Sequence, residues 1–267
     1  MTTPLFESER ESYVSEGGIL VVARRTFATE YFDYDPGEHV VFGGPTTHGK
    51  TTLAFDLLEV VAKPSFPAYV AVSKPRDPVT SERGEALGFR FVSEWPPPVR
   101  IQEMFGGEKP PGFIVWPPFG DLNTDMERCA AITEKLLMER YAHGASKKNK
   151  GGILVMDDTM IKAKIMGLDK PMVTILAMAG AMKLGLWIFI QKPTDSGRTA
   201  VWGYEQASHL FFTKGGDDQM LKRYVEIIGE NGPTAKRVIP TLKPYQFLYV
   251  HKVSGTMCIV DAKPEGK

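Results

Sequence analysis

The sequence predicts an α/β fold in which a mostly parallel sheet is covered by helices on both faces. Three observations carry that prediction. Short apolar runs at 40–42, 69–72, 153–156 and 186–190 alternate with stretches of helical periodicity. Those runs are apolar at nearly every position, as strands buried on both faces must be. A glycine-containing turn, Gly43-Gly44 through Gly49, joins the first of these strands to the first periodic helix.

The elements follow in order. Residues 18–22 and 30–34 read as short β segments, with a turn at Asp35-Pro36-Gly37. The strand at 40–42 runs into the glycine turn. Residues 51–61 then carry Leu53, Leu57, Leu58 and Val61 at helical spacing until Pro64 and Pro67 stop them. After the strand at 69–72, residues 94–118 are irregular, broken by Pro96-Pro97-Pro98, Pro110-Pro111 and Pro117-Pro118 around one strand at 113–116. That rigid stretch reads as a docking loop. A helix spans 124–143 and stops at Gly144, and Lys147-Lys148-Asn149-Lys150 links it to the strand at 153–156.

Residues 171–190 approach the apolar length of a membrane span. Lys183 between Gly180 and Gly185, and the change from Met/Ala-rich sequence to Trp187-Ile188-Phe189-Ile190, instead predict a buried helix at 172–183 and a buried strand at 186–190. A strand at 210–213 precedes a helix capped by Asp217, whose face carries Met220, Leu221, Tyr224, Val225 and Ile228 up to Gly229. A hairpin, 246–251 with 256–260, turns at Ser254-Gly255. The expected division is an N-terminal β extension over 1–38 and a main domain over 39–267 that ends in the hairpin.

Composition bounds the function. The chain has 267 residues with 32 basic and 32 acidic side chains, so no global field attracts nucleic acid or membrane. Any such binding needs a local patch or several subunits pooling charge. Apolar content of 43% rules out wholesale disorder. Cys129 and Cys258 are too few for a disulfide framework, which fits a reduced cytoplasmic setting. The acidic and basic residues Glu7, Glu9, Arg10 and Glu11 exclude a signal peptide core there.

Gly44-Pro45-Thr46-Thr47-His48-Gly49-Lys50-Thr51 matches the P-loop pattern G-x-x-x-x-G-K-[ST] at every fixed position, with a strand before it and a helix after it. Backbone N–H groups of such a turn form an anion site at a helix N-terminus. Residues 44–51 with Thr52 are therefore the expected ATP-binding set: Lys50 charges the β- and γ-phosphates, and Thr51 ligates Mg²⁺. His48 reads as a filler, because backbone donors do the work of this loop. An acidic partner on a neighbouring strand comes from Asp157-Asp158, which follow four apolar residues. Asp157 is the expected Mg²⁺ partner. Asp158 stands where a motor ATPase usually places the Glu that polarises water, one methylene shorter; its other reading is a cap for the next turn.

Beyond the acidic strand, Ala179-Gly180-Ala181-Met182-Lys183-Leu184-Gly185-Leu186-Trp187-Ile188-Phe189-Ile190-Gln191-Lys192-Pro193-Thr194-Asp195 resembles the FtsK–HerA superfamily of DNA-pumping ATPases. There the stretch reads R-x-x-G, an apolar strand, then T/S-Q-R-P-S. Residues 206–213 with Gly216-Asp217-Asp218, and 242–248, are similar to later motifs of that family. The resemblance covers roughly 36–260 and implies a RecA-like P-loop core. It implies that Gln191 senses the γ-phosphate, and that a cation from the next subunit completes the site. Lys183 holds the matching position, where the family usually has Arg; Arg198 and then Arg223 are the other candidates, and for each the more ordinary reading is a solvated surface residue.

The resemblance further implies ATP hydrolysis coupled to movement of double-stranded DNA by a homo-oligomeric ring of five or six subunits. Lys147, Lys148 and Lys150 with Arg140, together with Lys192, Arg198 and Lys214, would line its pore, or simply be solvated. Trp95, Trp116 and Trp187 read as packing residues. Only 43 residues precede the P-loop, so a stripped core of the size of viral genome-packaging ATPases, or of a mobile-element transfer ATPase, is expected. Its partners would be a portal, capsid or membrane anchor protein, without direct membrane insertion. The rival readings are a small-molecule kinase, disfavoured because 191–215 hold only Arg198 and no Arg-rich lid, and a nucleotide-gated assembly protein with little turnover.

Overall fold

The computed structural model describes residues 13–15, 17–100, 107–146, 151–193, 197–215 and 217–262. Its strands are β1 (Tyr13–Val14), β2 (Leu20–Ala23), β3 (Val40–Gly43), β4 (Ala68–Ala71), β5 (Arg90–Val92), β6 (Gly112–Val115), β7 (Gly152–Met156), β8 (Leu184–Ile190), β9 (His209–Phe212), β10 (Gln246–His251) and β11 (Met257–Asp261). They form one sheet in the order β1-β2-β11-β10-β9-β3-β8-β7-β4-β6-β5. From β9 to β5 every pairing is parallel; β10 pairs antiparallel with β9 and β11, and β2 joins β11 in parallel. The expected α/β architecture with a mostly parallel sheet is what the chain adopts.

The central strands are buried on both faces because each face has its own helical cover. Along β8, Leu186, Ile188 and Ile190 pack with Met172, Ile175 and Leu176 of the helix Asp169–Met182. Trp187 and Phe189 point the other way, toward Leu53, Leu57 and Leu58 of the helix Lys50–Val61. The apolar stretch 171–190 is thus a helix and a strand, and among the described residues no helix is long and apolar enough to cross a membrane. Asp217 caps the helix Asp218–Ile228 as expected, accepting a bond from the Met220 amide at 2.8 Å, and Gly229 ends it.

Several elements differ from the sequence reading. Residues 30–34 are not a strand: Phe27–Tyr31 is helical, and Phe32 and Tyr34 set their rings edge-on to Trp187 at 6.0 and 5.6 Å. Aromatic residues that favour strands serve here as core packing. The helix Pro78–Ala86 was not expected, although Asp77 caps it through the Thr80 amide and Pro78 occupies its first turn. It has no clear apolar stripe, so periodicity did not reveal it. Arg198–Gln206 and Gly232–Val238 are helical as well. Residues 101–106 of the Pro-rich segment and the cluster Lys147, Lys148 and Lys150 lie outside the described residues, as do Thr194 and Asp195.

Candidate nucleotide-binding site

β3 ends in Gly43, and the chain turns through Gly44 into the helix Lys50–Val61. The turn is fixed on both sides, by Gly44 N–H to the Ile190 carbonyl at 2.9 Å and by Thr213 N–H to the Gly43 carbonyl at 3.1 Å. Gly44 has φ +135, and a Cβ there would fall 1.9 Å from Thr213 Oγ1, so only glycine fits between β3 and the end of β9. Gly49 has φ +81, and a Cβ there would sit 3.0 Å from the ring of Tyr245.

The sequence reading puts the acidic strand next to the P-loop strand, and this is corrected by the pairing. β8 lies between β3 and β7 and pairs with both. The carboxylates therefore face the loop across two strand spacings, about 9.5 Å, with Gln191 at the end of the intervening strand. All three converge at the carboxyl ends of parallel strands, where α/β sheets place their ligand sites. A cavity of about 320 Å³ there is lined by Thr46, Thr47, Gly49, Lys50, Thr51 and Thr52, and across from them by Lys74, Asp157, Asp158 and Gln191. Tyr245, Val79 and Phe189 complete its wall.

Lys50 is buried and its Nζ donates to the carbonyls of Gly44, at 2.7 Å, and Pro45. Burial draws its pKa down to about 8, against the pull of Asp157. The His48 imidazole is tied to the Thr46 carbonyl at 2.8 Å and is not among the cavity's lining residues. Thr51 and Asp157 bring hard oxygen donors to the same cavity, the donor type that Mg²⁺ takes.

Sequence reasoning missed Lys74. It stands just beyond β4, the strand beside β7, and its ammonium lies 3.0 Å from Asp157 Oδ2 and 3.2 Å from Asp158 Oδ2. Burial alone would lower its pKa; the two carboxylates outweigh that and hold it at about 12. Asp158 is pushed above the usual carboxylate range by burial first and by the neighbouring Asp157 charge second. Asp158 also has φ +48, a left-handed conformation that Asp tolerates better than most residues. A polar residue at the carboxyl end of a predicted parallel strand was the signal that could have found Lys74.

Buried bonds support this wall. Lys162, fully buried, donates to Ser73 Oγ and to the Asp157 carbonyl, joining the end of β7 to the segment after β4. Thr159 Oγ1 donates to the Met156 carbonyl at 2.7 Å and accepts from the Phe189 amide at 2.9 Å, joining β7 to β8. The Trp116 indole N–H donates to the Lys74 carbonyl at 2.8 Å.

Lys183 and Arg198 are not brought into this cavity. Lys183 precedes β8, at the end opposite Gln191, and is exposed. Arg198 is 71% exposed, and its Nε donates to Asp169 Oδ2 at 2.8 Å. Arg223 pairs with Glu226 on its own helix. Each stands clear of its own chain's cavity, so a part in nucleotide chemistry would have to be played on a neighbouring copy.

No family model and no curated protein matches the chain. Solved structures do. The DNA-packaging ATPase B204 of Sulfolobus turreted icosahedral virus superposes with a TM-score of 0.55 at 17% identity, over 86% of this chain and 99% of that one. B204 of Sulfolobus turreted icosahedral virus 2 in complex with AMPPCP gives 0.51 at 16% identity, over 86% and 100%. The cytoplasmic domain of the type VII secretion ATPase EccC from Thermomonospora curvata gives 0.57 at 13% identity, over 88% of this chain and 26% of that one. At these identities the likeness is one of fold: the chain shares the α/β fold of these ATPases.

Proposed function

We propose that this chain is an ATP-hydrolysing translocase of double-stranded DNA that works as a homo-oligomeric ring, in viral genome packaging or mobile-element DNA transfer. The observation that carries the reading is the convergence of the P-loop, the Asp157-Asp158 pair and Gln191 on one cavity. Lys50 and the loop amides would hold the phosphates. Mg²⁺, held by Thr51 and Asp157, would neutralise phosphate charge when bound. Asp158 would orient the attacking water, and Gln191 would sense the γ-phosphate from the strand between loop and acids. Lys183 or Arg198 of a neighbouring subunit would stabilise the developing charge. The packaging assignment is supported by the likeness in fold to the packaging ATPase B204, at a TM-score of 0.55.

The test is the steady-state ATPase rate with and without long double-stranded DNA, for wild type and Lys50→Ala. A DNA-stimulated rate abolished by the substitution is expected. The assembly-protein reading is favoured by one observation, the Lys74 ammonium paired with both carboxylates. A slow rate indifferent to DNA, with tight ATP binding, would replace the motor by that reading.

A further inference from the structure

The end of the sheet away from the P-loop holds three side chains that nucleotide chemistry does not use. Glu38 stands two residues before β3, His209 opens β9 and His251 closes β10. The antiparallel register of β9 and β10 sets His251 opposite His209, so hydrogen-bonded backbone places both rings. Their centroids are 4.7 Å apart, with an interplanar angle of 11°. The Glu38 carboxylate reaches both: Oε2 lies 2.8 Å from His209 Nε2, and Oε1 lies 3.8 Å from His251 Nε2.

The remaining nitrogen of each ring faces a hydroxyl. His209 Nδ1 is 2.9 Å from Tyr249 OH, and His251 Nδ1 is 2.8 Å from Ser254 Oγ. Both Nε2 atoms therefore converge on one carboxylate, and His251 Nε2 is buried without a hydrogen-bond partner. A buried polar atom in that condition costs about 1–3 kcal/mol, so its direction toward the cluster needs a cause.

We propose that Glu38, His209 and His251 form a binding site for a divalent transition-metal ion, with Zn²⁺ the best chemical fit. Two imidazoles and one carboxylate, with solvent in the fourth position, are a donor set that zinc takes. Imidazole donors also discriminate against Mg²⁺, so this site is chemically separate from the one at Thr51 and Asp157. Ligand atoms around one tetrahedral zinc at its usual bond lengths stand about 3.3–3.5 Å apart. Here the three lie within 4.8 Å of one another. Closing the difference takes rotation of Glu38 and His251, whose side chains keep 20% and 18% exposure, while His209 is fixed in the core. That exposure is also the entry path. His209 Nε2 donates to the Glu38 carboxylate, and Nδ1 accepts from Tyr249 OH. To ligate an ion through Nε2 the ring would move its proton to Nδ1, where the hydroxyl would serve as the outer partner that accepts it. An ion there would tie β3, β9 and β10 together at the end opposite the nucleotide cavity.

The test uses the full chain without a polyhistidine tag, stripped with EDTA and held in millimolar MgCl₂. Co²⁺ is titrated in and visible d–d absorption is read, followed by displacement with Zn²⁺. One equivalent of Co²⁺ with tetrahedral absorption, unaffected by Mg²⁺ and released by Zn²⁺, is expected. His251→Gln, at the partly exposed position, should weaken Co²⁺ binding at least tenfold without moving the metal-free melting temperature. Glu38→Gln is the second variant, with the same expected loss, in case the first misfolds. Absent d–d absorption, displacement by Mg²⁺, or equal binding in the variants would each overturn the assignment.

Discussion

Removing the Lys74 ammonium is the sharpest test of how the acidic wall is held. Lys74→Met keeps the chain length and the apolar stem but deletes a cation 3.0 and 3.2 Å from two carboxylates whose own side chains are only 6% and 10% exposed. Deleting one partner of a fully buried ion pair costs about 3–5 kcal/mol, because a charge is left unpaired. Here the lysine side chain is 40% exposed, so water already screens part of the attraction. About 2 kcal/mol is the expected loss after that discount. The remaining anions repel each other, and a divalent cation should then bind between them. Stability gained from a ligand grows as RT ln(1 + [L]/Kd), so Mg²⁺ at about thirty times its Kd restores about 2 kcal/mol. Urea unfolding of wild type and variant, with and without Mg²⁺, measures both quantities. The expected outcome is a deficit without Mg²⁺ that closes as Mg²⁺ is added. A variant as stable as wild type in EDTA, or a deficit that Mg²⁺ leaves untouched, would refute the picture of Lys74 as the counter-ion of this pair.

Three further predictions rest on separate features. Gly44→Ala places a Cβ 1.9 Å from Thr213 Oγ1 at φ +135, so stability should fall by more than about 3 kcal/mol; adding Thr213→Ala should recover only the steric part, and full recovery would show that the backbone conformation is not strained. Lys50, with its pKa drawn to about 8, is charged at pH 7 and loses its proton as pH rises through 8, so nucleotide binding must take up a proton above that point. Affinity for a fluorescent ATP analogue should then fall up to tenfold per pH unit beyond about pH 8, and a flat profile to pH 9.5 would refute the coupling of nucleotide binding to a Lys50 proton lost in that range. Thr159→Val removes the acceptor of the Phe189 amide inside the core, and should cost about 2 kcal/mol in urea unfolding; a change under about 0.5 kcal/mol would mean that the amide finds another partner.

The P-loop was legible because its requirements are local. A strand, a glycine turn and a helix N-terminus are contiguous in the chain, and the glycines at 44 and 49 answer to backbone positions that their own φ values mark. The buried strands, the Asp217 cap and the acidic pair after four apolar residues are local for the same reason. Strand order is not local. Nothing in the spacing of β3, β7 and β8 states that the Gln191 strand lies between the other two, yet that insertion sets which groups face one cavity. Lys74 and Tyr245 belong to the wall only because β4 pairs with β7 and because the segment before β10 folds over Gly49. The aromatic run that ends at Tyr34 shows the converse, strand-like residues whose partners across the sheet required packing instead. Residue type and short-range spacing thus determined the phosphate loop, its acids and most of the strands. Only the long-range pairing of strands decided which side chains share the site with them, because contacts between distant segments leave no periodicity in either segment alone.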